Sequence, residues 1–244
     1  MFEGKTCLVV VPARGGSKGI PLKNLQPVGG TPLVARVGAV VADLPWVDRA
    51  VVSTDHDDIA AVAESSGIAA PFRRPESLSG DRIGDIDVLQ HALQACETLD
   101  DVRYDIVVML QPTSPLRRPE DVTATVRKLV DEAFDAVWTV SETDSKGHPL
   151  KQLVIGEAGL DFYDPAGANI IARQELTPVY HRNGVAYAFT RECLVDQGAI
   201  KGARTGAMVL EGPQANIDTA FDLFLAEMLL SPEGVRAMAL RDRS

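Results

Sequence analysis

The stretch V-V-V-P-A-R-G-G-S-K-G-I-P-L-K-N, Val9–Asn24, carries the strongest structural signal in the sequence. It joins a hydrophobic run, which predicts a buried strand over Cys7–Val11, to a loop with two adjacent glycines, the hydroxyl of Ser17 and the cations Arg14 and Lys18. Glycine lets backbone amides approach an anion closely, and the two cations supply full positive charge. The loop therefore predicts a phosphate-binding site.

Two familiar glycine signatures do not fit this loop. The Walker pattern G-x-x-x-x-G-K-[ST] fails because Ile20 stands where the second glycine is required. The dinucleotide pattern G-x-G-x-x-G fails because Pro21 interrupts the helix that has to begin there. The alternative to a phosphate site is a plain glycine turn with incidental surface cations.

Composition narrows the class of protein. The chain has 244 residues, 45% of them hydrophobic, which suits one domain with a sizeable core. Its net charge of −10 argues against nucleic acid and anionic membranes as partners. The first residues do not resemble a signal peptide and no apolar run is long enough for a membrane span, so we expect a cytoplasmic protein. The three scattered cysteines are expected to be buried small hydrophobes.

Strand-like runs alternate with amphipathic segments along the first 140 residues. The predicted strands are Cys7–Val11, Arg49–Ser53, Ile106–Leu110 and Ala136–Val140, and the predicted helices are Pro32–Ala42, Asp57–Ser66, Asp87–Leu99 and Pro119–Glu132. This alternation predicts an α/β fold with a mostly parallel sheet and helices on both faces. Ligands of such sheets bind beyond the carboxyl ends of the strands, where the loop after the first strand lies.

The pattern loosens over residues 141–183, which are rich in glycine and proline and predict an excursion from the sheet. Strands are predicted again at Gly184–Thr190 and Ala207–Leu210. A last helix is predicted from Thr219, because Thr219 and Asp222 have the spacing of a capping box.

The loop P-A-R-G-G-S-K-G-I-P-L-K-N resembles the nucleotide-binding signature of the acylneuraminate cytidylyltransferases, which make CMP-activated sialic acids and related nonulosonates. Five further motifs follow in that family's order and cover almost the whole chain: V-V-S-T-D (Val51–Asp55), R-P-E-S-L (Arg74–Leu78), Q-P-T-S-P-L-R (Gln111–Arg117), R-N-G-V-A-Y (Arg182–Tyr187) and N-I-D-T (Asn216–Thr219). The resemblance implies one Rossmann-like, three-layer α/β/α nucleotidyltransferase domain over residues 1–244. It also implies a homodimer in which a lobe at residues 141–183 reaches across to the partner subunit.

The resemblance also assigns roles to residues. Arg14 and Lys18 hold the triphosphate and count, with Asp218, as catalytic. The expected nucleotide-binding set is Ala13 (through its backbone), Arg14, Ser17, Lys18, Asn24 and Arg74. The expected acceptor-binding set is Gln111, Lys151, Arg173 and Tyr187. Roles without ligand contact remain as alternatives. Arg74, Lys151 and Arg173 could be solvated surface cations, and Tyr187 could be a core aromatic.

Mg²⁺ is the cofactor that the resemblance implies, held by Asp218 and Asn216. The family commonly has D-x-D-T where this chain has Asn216-Ile217-Asp218-Thr219. One carboxylate with substrate phosphates and waters still suffices for Mg²⁺, and an amide oxygen is a neutral ligand. The alternative is that Asp218 merely precedes the last helix.

The reaction that the resemblance implies is transfer of CMP from CTP to the anomeric hydroxyl of a 2-keto sugar acid of the sialic, legionaminic or pseudaminic type, with release of pyrophosphate. Two alternatives remain: transfer to another acid, such as 3-deoxy-manno-octulosonate or a phosphonate, or a catalytically silent nucleotide-binding relative. The chain also departs from the family's pattern at Asp81–Asp85 and at His181-Arg182. Both departures fall near expected ligand positions and bear on the choice of acceptor.

Overall fold

The computed structural model describes residues 1–157 and 159–235; position 158 and residues 236–244, which the predicted domain includes, lie outside the described residues. The strands are β1 (Cys7–Pro12), β2 (Pro27–Val28), β3 (Thr31–Pro32), β4 (Arg49–Ser53), β5 (Ile106–Met109), β6 (Ala136–Glu142), β7 (Leu153–Gly156), β8 (Gly159–Phe162), β9 (Tyr180–Thr190) and β10 (Thr205–Val209). The helices are α1 (Leu33–Ala42), α2 (Asp57–Ser65), α3 (Asp85–Asp100), α4 (Pro119–Asp131), α5 (Arg191–Val195) and α6 (Ala220–Leu230).

The main sheet has six strands in the order β10-β6-β9-β5-β1-β4. Strand β1 pairs in parallel with both β4 and β5, β6 pairs in parallel with β10, and β9 runs antiparallel between β5 and β6. The predicted mostly parallel sheet is thus confirmed. Because the chain moves to one side of β1 for β4 and to the other for β5, the loops after β1 and β5 diverge and leave a crevice at their carboxyl ends.

The three layers follow from the alternation of side chains along β1. Cys7, Val9 and Val11 pack in one buried cluster with residues of α1, α2 and α4, whereas Leu8 and Val10 pack in a second cluster with residues of α3 and α5. Successive residues of a strand point to opposite faces, so a fully apolar strand requires a cover on both. The three cysteines are buried, as predicted.

Most predicted elements agree with the structure to within two residues at each end. The capping box at the start of α6 is confirmed, because Thr219 and Asp222 exchange hydrogen bonds between side chain and backbone. Strand β9 begins at Tyr180, four residues before its predicted start. The polar residues Tyr180–Asn183 hid this part of the strand, since they continue the pairing with β6 without an apolar pattern.

Residues 141–183 contain a hairpin of β7 and β8, which form a sheet of their own apart from the main one. Several of its apolar side chains face solvent, among them Ile155 (87% exposed), Leu160, Tyr163 and Ile171 (94% exposed). The structure does not test the division into domain and lobe, so that division stays a prediction. None of the helices in the described part of the chain combines the length and the apolar character that crossing a bilayer requires.

Candidate active site

A cavity of about 540 Å³ opens at the carboxyl ends of β1 and β5. It is lined by residues that are far apart in the sequence but follow neighbouring strands or precede α6. Nine of the predicted site residues line it: Arg14, Ser17, Lys18, Asn24, Arg74, Gln111, Tyr187, Asn216 and Asp218. The sheet topology thus brings most of the predicted residues together, whereas their individual roles remain predictions.

The two cations of the first loop are bridged by one carboxylate. Arg14 Nη1 lies 2.6 Å from Asp81 Oδ1, and Lys18 Nζ lies 2.6 Å from Asp81 Oδ2. The hydrogen bonds from Lys18 and then Arg14 lower the pKa of Asp81, which is therefore charged at neutral pH. A carboxylate thus occupies the place where these cations are expected to hold a triphosphate. Sequence reasoning singled out Asp81 only as the start of a departure from the family's pattern, because no local pattern pairs it with a cation 67 positions away.

Gly15 is held by contacts with Asp55 and His56. Its backbone amide donates to Asp55 Oδ1 at 2.8 Å, so this amide is not free to meet a phosphate. A Cβ at position 15 would come within 2.8 Å of the His56 ring, which caps α2. The glycine is required by close packing against His56, its amide already meets a carboxylate, and the binding of phosphate by the remaining groups of the loop stays a prediction.

Two buried polar side chains form the floor of the cavity behind this loop. Asn24 donates through its amide nitrogen to the carbonyl of Arg14 at 3.0 Å and so holds the loop in place. Arg74 donates from Nε to the Ser53 hydroxyl at 3.1 Å and from Nη2 to the Ser53 carbonyl, and burial lowers its pKa to about 10. Arg74 is therefore not a solvated surface cation. The Ala13 amide donates to the same Ser53 carbonyl, and Ala13 itself is fully buried and is not among the described residues that line the cavity, so its backbone role stays a prediction.

The Q-P-T-S-P-L-R loop is tied to β9 by the buried Arg117. Its guanidinium donates to the carbonyls of Gln111 (2.6 Å), Gly184 (3.1 Å) and Val185. Gly184 has φ +75°, and a Cβ there would meet Gln111 Oε1 at 2.8 Å, so glycine is required twice over. These contacts place the Gln111 side chain against β9, at the edge of the cavity.

Strand β9 carries a wide bulge at this point. Arg182 pairs with Val140 of β6 and Tyr187 pairs with Trp138, so four residues of β9 stand opposite Thr139 alone. The Thr139 hydroxyl bonds to groups at both ends of the bulge, Asn183 Oδ1 and the Ala186 backbone. Tyr187 is buried, which raises its pKa, and its hydroxyl accepts from the Gly184 amide at 2.9 Å. Tyr187 is therefore both a core aromatic and a wall of the cavity.

The N-I-D-T segment closes the other side of the cavity. Lys23 Nζ donates to the Ile217 carbonyl at 2.7 Å and to Asp218 Oδ1 at 2.8 Å, which fastens the first loop to this segment. Sequence reasoning did not place Lys23 in the site. Asp218 keeps one carboxylate oxygen without a protein partner among the described residues, and Asn216 lines the same cavity.

The donor set suits Mg²⁺ only with help from a substrate. The described residues contain no group of three or more His, Cys, Asp or Glu side chains placed to hold a metal. One carboxylate is nevertheless enough protein charge for this ion, because Mg²⁺ keeps several waters and takes phosphate oxygens, and an amide oxygen can add a neutral ligand. Asp218 and Asn216 fit that role.

Lys151 and Arg173 do not line the cavity of their own chain. Both lie in short 3₁₀ segments of the 141–183 region and are exposed. Arg173 lines a separate small hollow of about 60 Å³. Their expected role at the acceptor requires a second copy of the chain and stays a prediction.

Comparisons with known proteins identify the family of the chain and its fold. The family model described as Cytidylyltransferase matches residues 8–228. The CMP-N,N'-diacetyllegionaminic acid synthase of Legionella pneumophila is 30% identical over 234 residues, covering 91% of this chain and 95% of that protein. The pseudaminic acid cytidylyltransferase of Campylobacter jejuni is 28% identical, covering 91% and 95%. A solved structure of CMP:2-keto-3-deoxy-manno-octonic acid synthetase with CTP has a TM-score of 0.65 and 21% identity, covers 93% of this chain and 99% of its own, and shows the shared fold.

Proposed function

The chain belongs to the cytidylyltransferase family, and we propose that it transfers CMP from CTP to the anomeric hydroxyl of a 2-keto sugar acid, releasing pyrophosphate. One observation carries the proposal: a single cavity joins the cations Arg14 and Lys18 to Gln111, Tyr187 and Asp218. The acceptor class is supported by the relatives whose names specify legionaminic and pseudaminic acids.

Positioning and charge neutralisation supply most of the catalysis in this proposal. The acceptor hydroxyl attacks the α-phosphorus of CTP and loses its proton to solvent water, the bond from the α-phosphorus to the bridging oxygen breaks, and pyrophosphate leaves with that oxygen and the negative charge. Arg14 and Lys18 exchange their shared partner Asp81 for phosphate oxygens. They then stabilise charge that grows on the leaving group, which is where fixed cations lower a barrier most.

Cytosine selectivity is proposed to come from the floor of the cavity. Cytosine offers acceptors at O2 and N3 and a donor at its exocyclic amine, whereas uracil reverses the groups at positions 3 and 4. The Asn24 side chain, which lines the cavity, would meet the base through its amide group, and the proposed contribution of the Ala13 backbone comes from just behind the lining. Equal kcat/KM for CTP and UTP would contradict the cytosine assignment, because a site built for one base leaves buried groups unpaired with the other.

We propose Mg²⁺ as the cofactor, with Asp218 as its direct carboxylate and Asn216 as a neutral neighbour. A bound Mg²⁺ ion neutralises phosphate charge and orients the triphosphate. Asp218→Asn is expected to abolish activity even at millimolar metal. Asn216→Asp is expected to lower the Mg²⁺ concentration for half-maximal rate. An unchanged metal response in both variants would place the metal elsewhere.

The proposed assembly is a homodimer held by the 141–183 lobe. Exposed apolar side chains such as Ile155 and Ile171 favour contact with another surface. The exposed Lys151 and Arg173 would then serve the partner's acceptor site. Sedimentation equilibrium of Ile155→Lys with Ile171→Lys tests this assembly, with a dimer expected for the unmodified chain and a monomer for the variant. Dimers of equal strength in both would refute the lobe's role.

The decisive experiment is a pyrophosphate-release screen of the four nucleoside triphosphates against a panel of acids. We expect turnover with CTP and a nonulosonic acid at near-neutral pH and millimolar Mg²⁺. These conditions match the cytoplasm, which is the proposed location of the protein. Turnover with 3-deoxy-manno-octulosonate or a phosphonate alone would change the acceptor and keep the transfer. CTP binding without turnover on any acid would instead support a silent nucleotide-binding relative.

A further inference from the structure

The acceptor side of the cavity is the part lined by Gln111 and Tyr187, the residues expected to bind the acceptor. Arg182 reaches this side because of the bulge in β9. In a regular strand, residues 182 and 187 would point to opposite faces, because they are separated by an odd number of positions. The bulge removes this alternation, since Arg182 pairs with Val140 and Tyr187 with Trp138. As a result the Arg182 guanidinium lies over both rings, with its carbon 5.2 Å from the Trp138 centroid and 5.8 Å from the Tyr187 centroid.

Arg182 is the cavity cation whose hydrogen-bond donors remain free within the described residues. Its nearest carboxylate, Asp85, is 3.9 Å away, which is beyond hydrogen-bond distance, and its side chain is 48% exposed. The other four cations of the cavity hold protein oxygens: Arg14 and Lys18 hold Asp81, Lys23 holds Asp218, and Arg74 holds Ser53.

The chemistry of a guanidinium with free donors selects a planar anion. The Trp138 and Tyr187 rings attract Arg182 by cation–π interaction and hold it at this wall of the cavity, while its N–H groups keep no protein hydrogen-bond partner among the described residues. Two parallel N–H groups on the edge of a guanidinium match the two oxygens of a carboxylate. An acidic sugar that enters a protein of net charge −10 needs a local cation of this kind.

We propose that Arg182 binds the carboxylate of the acceptor and so selects acids over neutral sugars, an inference that rests on the proposed transfer to a 2-keto sugar acid. The carboxylate lies in the plane of the guanidinium, beside Tyr187 and Gln111, which also line this part of the cavity. This recognition is made within one chain. It is therefore independent of the proposed contribution of Lys151 and Arg173 from a second copy.

The test compares Arg182→Gln with the unmodified protein on two forms of one acceptor. The probes are the best substrate among N,N'-diacetyllegionaminic, pseudaminic and N-acetylneuraminic acids, and its C1 carboxamide, which keeps the anomeric hydroxyl and removes the charge. We expect Arg182→Gln to lower kcat/KM for the acid by about 10- to 100-fold, as for loss of a charge-assisted pair. For the carboxamide we expect a change within about twofold, and the same for KM of CTP.

Two further variants separate charge from structure. Arg182→Lys keeps the charge without the planar fork and is expected to retain an intermediate kcat/KM for the acid. Arg103→Gln removes an equally charged arginine that pairs with Asp105 and Glu192, just before β5 at the opposite end of the sheet, and is expected to change nothing. Circular dichroism establishes that each variant is folded.

The outcomes are distinct. An acid kcat/KM within twofold of the unmodified protein in Arg182→Gln overturns the inference, and so does an equal loss on acid and carboxamide. A rise confined to KM of CTP reassigns Arg182 to the nucleotide and also overturns it. If the unmodified protein binds CTP but turns over no acid, the proposed function itself fails, and this inference fails with it.

Discussion

Replacing Arg117 with methionine is expected to loosen the whole acceptor side of the cavity. The side chain is buried, and its three hydrogen bonds join the loop after β5 to the bulge of β9, across up to 68 positions of sequence. Methionine has a similar length and no donor, so three backbone carbonyls lose a partner. The same change frees Gln111 and the bulge that aims Arg182 and Tyr187.

The magnitude follows from opposing contributions. A hydrogen bond from a charged donor stabilises by about 1.5–3 kcal/mol, so three of them contribute about 5–9 kcal/mol. The loss of hydration of the buried guanidinium opposes this stabilisation. The same loss of hydration disfavours the charged form and lowers the pKa of Arg117 to about 9. The desolvation of one buried ion costs several kcal/mol. We therefore expect Arg117→Met to lower the free energy of unfolding by about 3 kcal/mol, within the 3–5 kcal/mol typical of a broken buried pair.

Urea unfolding with linear extrapolation measures the decrease in the free energy of unfolding. A raised KM for the acceptor reports displacement of the site. Arg127→Met is the matched control, because Arg127 is exposed on α4, and its effect is expected to stay within about 0.5 kcal/mol. Arg117→Lys keeps one or two of the hydrogen bonds, so its free energy of unfolding is expected to lie between those of Arg117→Met and the unmodified protein. A loss below about 1 kcal/mol for Arg117→Met, or an unchanged acceptor KM, would refute the reasoning.

Three further predictions concern single side chains. Lys18→Ala is expected to lower kcat by at least a hundredfold with an unchanged circular dichroism spectrum, and activity within about threefold would remove Lys18 from the phosphates. Asp81→Asn is expected to lower KM for CTP, because it frees Arg14 and Lys18 from their shared carboxylate; a raised KM would show that Asp81 helps to bind the nucleotide. Burial by itself raises the pKa of Asp105, but hydrogen bonds from Thr6 outweigh it and lower that pKa. The stability from Asp105 is therefore present above the unfolded pKa of about 3.9 and lost as pH falls through the lower folded pKa, so Asp105→Asn should flatten the acid limb of stability against pH; an identical acid limb would contradict this.

The amino-acid sequence by itself determined the alternation of strands and helices and the residues at their ends. Arg14 follows β1 and Gln111 follows β5 in any parallel arrangement, so their convergence was predictable from local patterns. Thr219 and Asp222 likewise start α6 through contacts within one turn. These features depend on neighbours a few positions apart, and the energies that select them are local.

The pairing of the cavity's charges and the directions of its side chains depend on contacts between residues far apart in the sequence. Asp81 meets Arg14 across 67 positions, and Lys23 meets Asp218 across 195, distances over which no periodicity carries information. The bulge that turns Arg182 onto the face of Tyr187 depends on strand register, which is set by packing against β6 and by the buried Arg117. Packing also gave Gly15 its role, because the neighbour that forbids a Cβ there, His56, belongs to the next strand-to-helix connection.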